Sequence, residues 1–336
     1  MTAAAETLQL SILKPYQSSS LRQAAWQTAT TFGLYLTLVV AMYAASSLSV
    51  LLTLALAVPA GGLIVRIFML QHDCGHGSLF RTRRVNGIVG ALCSLATLTP
   101  FAYWRRLHAR HHAGWNNLDG RGVPADFFSD CLTSAEYAAL RPMQQRLYRL
   151  THHPALVHLL LPPVIFILLY RVPFDTPAAN RVERRSVLLL NLSLVAMFAG
   201  LMMVFGVRTV LLVHLPALMF AAIVGIWLFS VQHRFEDSQW ATSETWRYDQ
   251  AALHGASYLR LPRVLQWFSG NIGLHHVHHL RPGIPNYRLQ ACHDGCLEVT
   301  GAVTVLNLRQ ALRAPSYALW DEEQGHMAPF PAAPRR

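Results

Sequence analysis

The chain has 336 residues, 53% of them hydrophobic and only 13% charged, and its mean hydropathy is positive. A soluble domain of this size carries about a quarter charged residues, so the composition excludes an ordinary soluble domain and points to an integral membrane protein. The formal net charge of +11 does not make a nucleic-acid surface: Lys14 is the sole lysine, and the arginines flank apolar segments, where they read as topology signals and headgroup contacts.

Residues 1–25 read as a cytoplasmic lead-in, because Glu6 and Lys14 are the first charges and no short apolar core follows them as in a signal peptide. Two apolar stretches come next, about 26–45 and 48–70, each long enough to cross roughly 30 Å of hydrocarbon. Only Ser46-Ser47 separates them, which predicts a tight hairpin, and Gly61 and Gly62 allow close helix approach. The second stretch runs into Gln71-His72, and His72-Asp73-Cys74-Gly75-His76 sets two imidazoles at i and i+4.

An apolar run, 85–99, then lies among Arg81, Arg83, Arg84, Arg105, Arg106 and Arg110. A full crossing there would put His76 and His108 on opposite membrane faces, so an interfacial or re-entrant helix is expected. It leads to His108-Ala109-Arg110-His111-His112, an H-x-x-H-H skeleton, followed by a loop at 115–126 dense in Gly, Asn and Pro. The run at 154–170 is short and interrupted by Pro162 and Pro163; it is expected to stay in the leaflet or on the surface of the same side.

Two further spans, about 186–205 and 209–231, turn at Gly206-Val207-Arg208 to form a second hairpin. The fourth span ends in Gln232-His233 as the second ends in Gln71-His72, which marks His233 as a ninth metal-ligand candidate. Beyond it, Gly270-Asn271-Ile272-Gly273-Leu274-His275-His276-Val277-His278-His279 repeats the H-x-x-H-H skeleton through His275, His278 and His279. Positions i, i+3 and i+4 of a helix fall within an arc of about 100°, so each such box can converge on one point. Eight histidines in three boxes exceed the roughly four ligands of one zinc ion, which makes two metals the economical reading; iron, zinc, copper and nickel all suit imidazole.

His152, His153, His158, His214, His254, His276, His293 and His326 lie outside the skeletons and read as ordinary polar residues. Cys74, Cys93, Cys131, Cys292 and Cys296 form no paired framework and read as reduced thiols. The whole predicts an all-α integral membrane protein: four transmembrane helices in two hairpins, interfacial or re-entrant helices, and a cytoplasmic cap carrying the histidines. One membrane domain, 26–321, precedes a proline-rich tail, 322–336, expected to be disordered.

The three boxes, with Ile284-Pro285-Asn286-Tyr287 after the last, resemble the integral-membrane fatty acid desaturases over about 61–296. The wording is closer to the acyl-lipid omega-6 (delta-12-type) branch than to the acyl-CoA delta-9 branch. Asn117-Leu118-Asp119 fits that branch too, although Trp115-Asn116 stands where a glycine usually precedes the triplet. The resemblance implies a non-haem di-iron site with His72, His76, His108, His111, His112, His233, His275, His278 and His279 as ligands. Asp73, Glu236, Asp237 and Asn271 become candidates for fixing ligand orientation. It further implies O2 as co-substrate, a fatty acyl lipid substrate, and a cis double bond as product. No His-Pro-Gly-Gly element of a fused cytochrome b5 occurs, so electrons are expected from a separate carrier, a ferredoxin or a cytochrome b5-type protein, docking on cytoplasmic arginines of a bacterial-type inner membrane.

The boxes alone leave open a hydroxylase, an acetylenase or a carotenoid oxygenase on the same framework. A histidine-rich metal transporter would thread ionisable residues through its spans, and the spans hold only Arg66 and His214. A membrane zinc protease lacks its H-E-x-x-H.

Overall fold

The computed structural model describes residues 11–122 and 127–332. Among them, four helices are long and apolar enough to cross a membrane: α1 (Leu21–Ser46), α2 (Val50–His76), α5 (Arg181–Phe205) and α6 (Val207–His233). Between α2 and α5 lie α3 (Arg83–Thr97) and α4 (Phe101–Gly114); after α6 come α7 (Tyr248–His254), α8 (His275–Leu280) and α9 (Asn286–Gly295).

Local chemistry sets the ends of these helices. Ser20 and Ser49 cap α1 and α2, their hydroxyls accepting from Gln23 N at 3.4 Å and Leu52 N at 3.3 Å. The cap at Ser20 starts α1 five residues before 26, and residues 1–10 of the expected lead-in lie outside the described residues. Nothing stops α2 at residue 70: it continues until Gly77, whose φ of +70° ends it in the left-handed conformation. Gly206, at φ +79° but with an extended ψ of 152°, separates α5 from α6. The first histidine box is therefore the last turn of α2, and His233 is the last residue of α6.

The two helices that carry these histidines form the centre of the bundle. At Gly61 a Cβ would meet Phe220 Cδ1 at 2.7 Å and Ala217 O at 2.8 Å, so only glycine permits this approach of α2 to α6. Ala57, Ala60, Ala217 and Ala221 fill the rest of the seam. Arg66, in α2, donates through Nε to Thr31 Oγ1 at 3.0 Å, bonds the carbonyl of Trp267 and lies 4.1 Å over its ring, which joins α1, α2 and the helix Arg263–Phe268.

α3 and α4 meet at 99° around Leu98, a left-handed residue at φ +55° whose carbonyl accepts from Arg171. Gly90 lets the Phe101 ring lie against α3, since a Cβ there would come within 2.4 Å of that ring. The chain thus descends and returns: His108 Nε2 stands 2.9 Å from His76 Nε2, which rules out a crossing between them. The Pro162-Pro163 region is likewise broken, a π-helical turn at Leu156–Leu160 followed by the helix Leu161–Ile167, packed on α6.

Over the box side sits a cap with two small sheets. β1 (Leu132–Thr133) pairs in parallel with β4 (Tyr317–Asp321), which pairs antiparallel with β5 (His326–Pro329); β2 (Tyr258–Leu259) and β3 (Val305–Leu306) form the second sheet. β5 overturns the expectation of disorder for the tail. Met327 is fully buried and its N–H donates to Glu236 O at 2.7 Å, while the Phe330 ring lies 5.3 Å from Tyr137, so apolar burial outweighs the proline content. Residues 333–336 of that tail are outside the described residues. All five cysteines are buried and free.

Overpacking the central seam tests this arrangement. Gly61→Leu should lower stability by about 1–3 kcal/mol, read as a reduced melting temperature in detergent, whereas Gly33→Leu, where a Cβ meets nothing within 4 Å, should change it little.

Candidate metal centre

The nine histidines singled out above assemble into two groups. His72, His76, His108, His112 and His278 form one; His111, His233, His275 and His279 form the other; within each, one nitrogen per ring lies within 4.8 Å of all the rest. Each of α2, α4 and α8 presents its box as an i, i+3, i+4 or i, i+4 set on one face, and the last residue of α6 completes the second group. The groups touch: the rings of His112 and His279 stack at 4.3 Å.

The nitrogen separations decide what such groups can hold. In the second group, Nε2 to Nε2 distances are 3.1 Å for His111–His233, 2.8 Å for His275–His233, 3.0 Å for His279–His275 and 3.3 Å for His111–His279. In the first, His108–His76, His112–His108 and His278–His112 are 2.9, 3.1 and 3.0 Å. Nitrogens bound about 2.0–2.1 Å from one ion, at right to tetrahedral angles, stand about 2.9–3.4 Å apart, which these spacings match.

Hydrogen bonding between the rings is a poorer account. His233 Nδ1 lies 3.0 Å from Gly255 O, which fixes its proton on Nδ1 and leaves an Nε2 lone pair facing three other Nε2 atoms. His72 Nδ1 is 3.2 Å from Asp73 Oδ1, which likewise turns a lone pair inward. Burial, then the crowd of neighbouring imidazoles, pushes the pKa values of His275, His278 and His279 far below the usual histidine range, so these rings are neutral donors. The residues fit a bound metal pair.

Of the proposed supporting residues, Asp73 alone meets a ligand. Its Oδ2 also accepts from Asn286 N at 2.7 Å and Asn286 Nδ2 at 2.9 Å, and Asn271 Nδ2 donates to Asn286 O at 3.0 Å. Asn271, held at φ +60°, therefore acts on His72 only through Asn286 and Asp73. Glu236 and Asp237 do not reach the site among the described residues. The backbone leaves α6 at Arg234; Glu236 then accepts from Tyr317 OH at 2.8 Å, which anchors β4, and Asp237 is exposed.

Other residues at the site carry no sequence signal of their role. Asn286 is buried after Pro285; Gly255 contributes only a carbonyl; Trp104 stacks on His108 at 4.6 Å, and Trp115, 1% exposed, packs on His279 at 4.1 Å. His276, on the opposite face of α8, pairs through Nε2 with His293 Nδ1 at 3.2 Å and is held neutral by burial, its pKa pushed down to about 3. That pair ties α8 to α9 and belongs to neither group.

A cavity of about 710 Å³ touches both groups, at His72 and His108 of the first and His111 and His275 of the second. Its walls are apolar, among them Ile64 and Phe68 of α2, Trp104 of α4, Phe166, and Ala222 and Phe229 of α6. The volume is that of a small-molecule site, about 300–1,000 Å³, and such a wall selects an apolar ligand by shape.

Comparison with known proteins agrees with this geometry. The fatty acid desaturase family matches residues 45–305. A fatty acid desaturase of Bacillus subtilis (strain 168) is 41% identical over 290 residues, 86% of this chain and 81% of that protein. The sn-1 oleoyl-lipid 12-desaturase of Anabaena variabilis is 25% identical over 72% of this chain and 67% of its own length; the chloroplastic omega-6 fatty acid desaturase of Arabidopsis thaliana is 27% identical over 73% and 53%. With matched residues covering all three histidine boxes and His233, the chain belongs to the fatty acid desaturase family.

Proposed function

We propose that the protein desaturates lipid-linked fatty acyl chains, using O2, two electrons and two iron ions held by His72, His76, His108, His112 and His278 and by His111, His233, His275 and His279. The observation that carries this reading is that both nitrogen groups face one apolar cavity. The metal pair would supply the oxidant: O2, two electrons and two protons, with the two hydrogens taken from adjacent methylenes, give a double bond and two waters.

The remaining work falls to the chain itself. Asp73 and the Gly255 carbonyl hold the His72 and His233 rings with their lone pairs inward. Phe68, Trp104 and Phe229 line the cavity beside the histidines, where they exclude water and press an acyl chain toward them. An unactivated methylene offers no polar handle, so position along the chain is set by depth in the cavity. Arginine-rich segments on the box side support a cytoplasmic placement in a bacterial-type inner membrane and docking of an acidic external electron donor, with a ferredoxin preferred over a cytochrome b5-type protein. The likeness to the acyl-lipid 12-desaturases and omega-6 desaturases supports an omega-6-like product.

Expression in a bacterium supplied with an electron donor, followed by mass spectrometry of its acyl chains, tests the reaction. A new cis double bond is expected; a hydroxyl or triple bond at the same carbons would assign the framework to a hydroxylase or acetylenase.

Purified protein should hold about two irons per chain. His76→Ala and His278→Ala should each abolish turnover while the protein stays membrane-inserted. His293→Ala should keep its iron, at a stability cost of about 1–3 kcal/mol for leaving buried His276 unpaired. A single zinc after iron-replete growth would refute the assignment.

His233→Ala removes one of four nitrogens from the second group, so turnover should fall by about two orders of magnitude and iron content with it. Retention of both would leave a site of eight histidines. Asp73→Leu frees the His72 ring and should weaken metal retention about 10–100-fold in a chelator titration, without shifting the product's double bond.

A further inference from the structure

One residue of the cavity wall is not explained by packing. Gly225 lies inside α6, where glycine costs about 0.5–1 kcal/mol relative to alanine. The glycine at Gly61 is required by its neighbours, as shown above. At Gly225 a Cβ would meet nothing within 4 Å, its φ is not left-handed, and the residue lines the cavity. The missing side chain therefore leaves lumen and not a helix contact.

Its position in that wall is specific. Leu218, Ala221, Ala222 and Gly225 line the cavity from α6, followed toward the histidines by Ile226, Leu228 and Phe229, so the small residues form one stretch of wall between large ones. Gly225 stands eight residues before His233, about 12 Å along the helix axis into the span. Ile64 of α2, eight residues before His72, lines the same cavity from the facing helix. An acyl chain whose reacting methylenes lie against the histidines has its headgroup at the membrane surface, so its methyl-terminal part extends past Gly225.

We propose that Gly225 sets the length of acyl chain the enzyme accepts, by leaving open the stretch of cavity that takes the methyl end. This rests on the cavity being the acyl site. A side chain at position 225 projects into space that methylenes would occupy, so longer chains lose their place first while shorter ones still reach the histidines. Discrimination by one methylene in an apolar pocket is about 10-fold or more.

The test is the graded series Gly225→Ala, Gly225→Val and Gly225→Leu, expressed in membranes with myristoyl, palmitoyl and stearoyl lipids and an electron donor. The ratio of unsaturated stearoyl to unsaturated myristoyl chains should fall with side-chain volume, by about tenfold or more at leucine, while iron per chain stays at the wild-type level. Lipids retained by iron-free purified protein, identified by mass spectrometry, should shorten in parallel. Gly200→Leu, at an open position of α5 outside the cavity wall, should leave both readouts unchanged. A flat ratio across the variants that keep their iron would overturn the proposal while leaving the desaturase assignment intact. A wild type that desaturates no chain would instead remove the reading beneath it.

Discussion

The site depends first on the ends of α2 and α6 lying side by side. A ligand nitrogen must be placed to within a fraction of an ångström, and a long packed helix is a stiffer mount than a loop. The seam at Gly61 fixes the distance between the two helices, and a glutamine one residue before His72 and one before His233 fix what packs over their ends. Gln71 donates to Thr99 O at 2.8 Å, in the bend between α3 and α4; Gln232 donates to Ile272 O at 2.9 Å, in the loop before α8. Each exit thus docks the element that brings the next histidine box.

The two mounts differ in how much they owe to the rest of the fold. α8 has six residues and would not persist in water alone, since isolated helices shorter than about 12 residues are marginal. It exists because Leu274, Val277 and Leu280 are buried in one cluster with Leu289 and Cys292 of α9. The same burial removes water from its imidazoles and keeps them neutral, so packing energy and ligand chemistry have one source. Where that cluster ends, the apolar cavity begins, and the histidines form the boundary between the two.

Much of this was legible in the sequence because two strong periodicities mark it. Hydropathy located both hairpins, and three- and four-residue spacing located the ligand faces. The demand that His76 and His108 share a site led to an interfacial or re-entrant helix over 85–99, and the 99° bend between α3 and α4 brings the two histidines together. One failure comes from the direction in which the chain leaves an ordered element. Glu236 and Asp237 follow His233 closely, yet the backbone turns at Arg234 and carries them outward to β4 and solvent. The bond from Asn286 to Asp73 joins residues 213 positions apart, and Gly255 acts through a carbonyl that every residue possesses. β5 is four residues long, too short for alternation to show in a proline-rich tail.

The two histidine groups are not divided by chain half. His278 crosses to the group otherwise built from α2 and α4, and His111 crosses to the group otherwise built from α6 and α8. Each half of the polypeptide lends the other one ligand, so a metal in either group clasps segments more than a hundred positions apart. A ligand bound only by the folded state adds to its stability in proportion to the logarithm of its concentration over its Kd. With neither group occupied that clasp is missing, and the halves are held by the apolar seam and the contacts of the cap. Metal supply would then bear on how long this protein lasts.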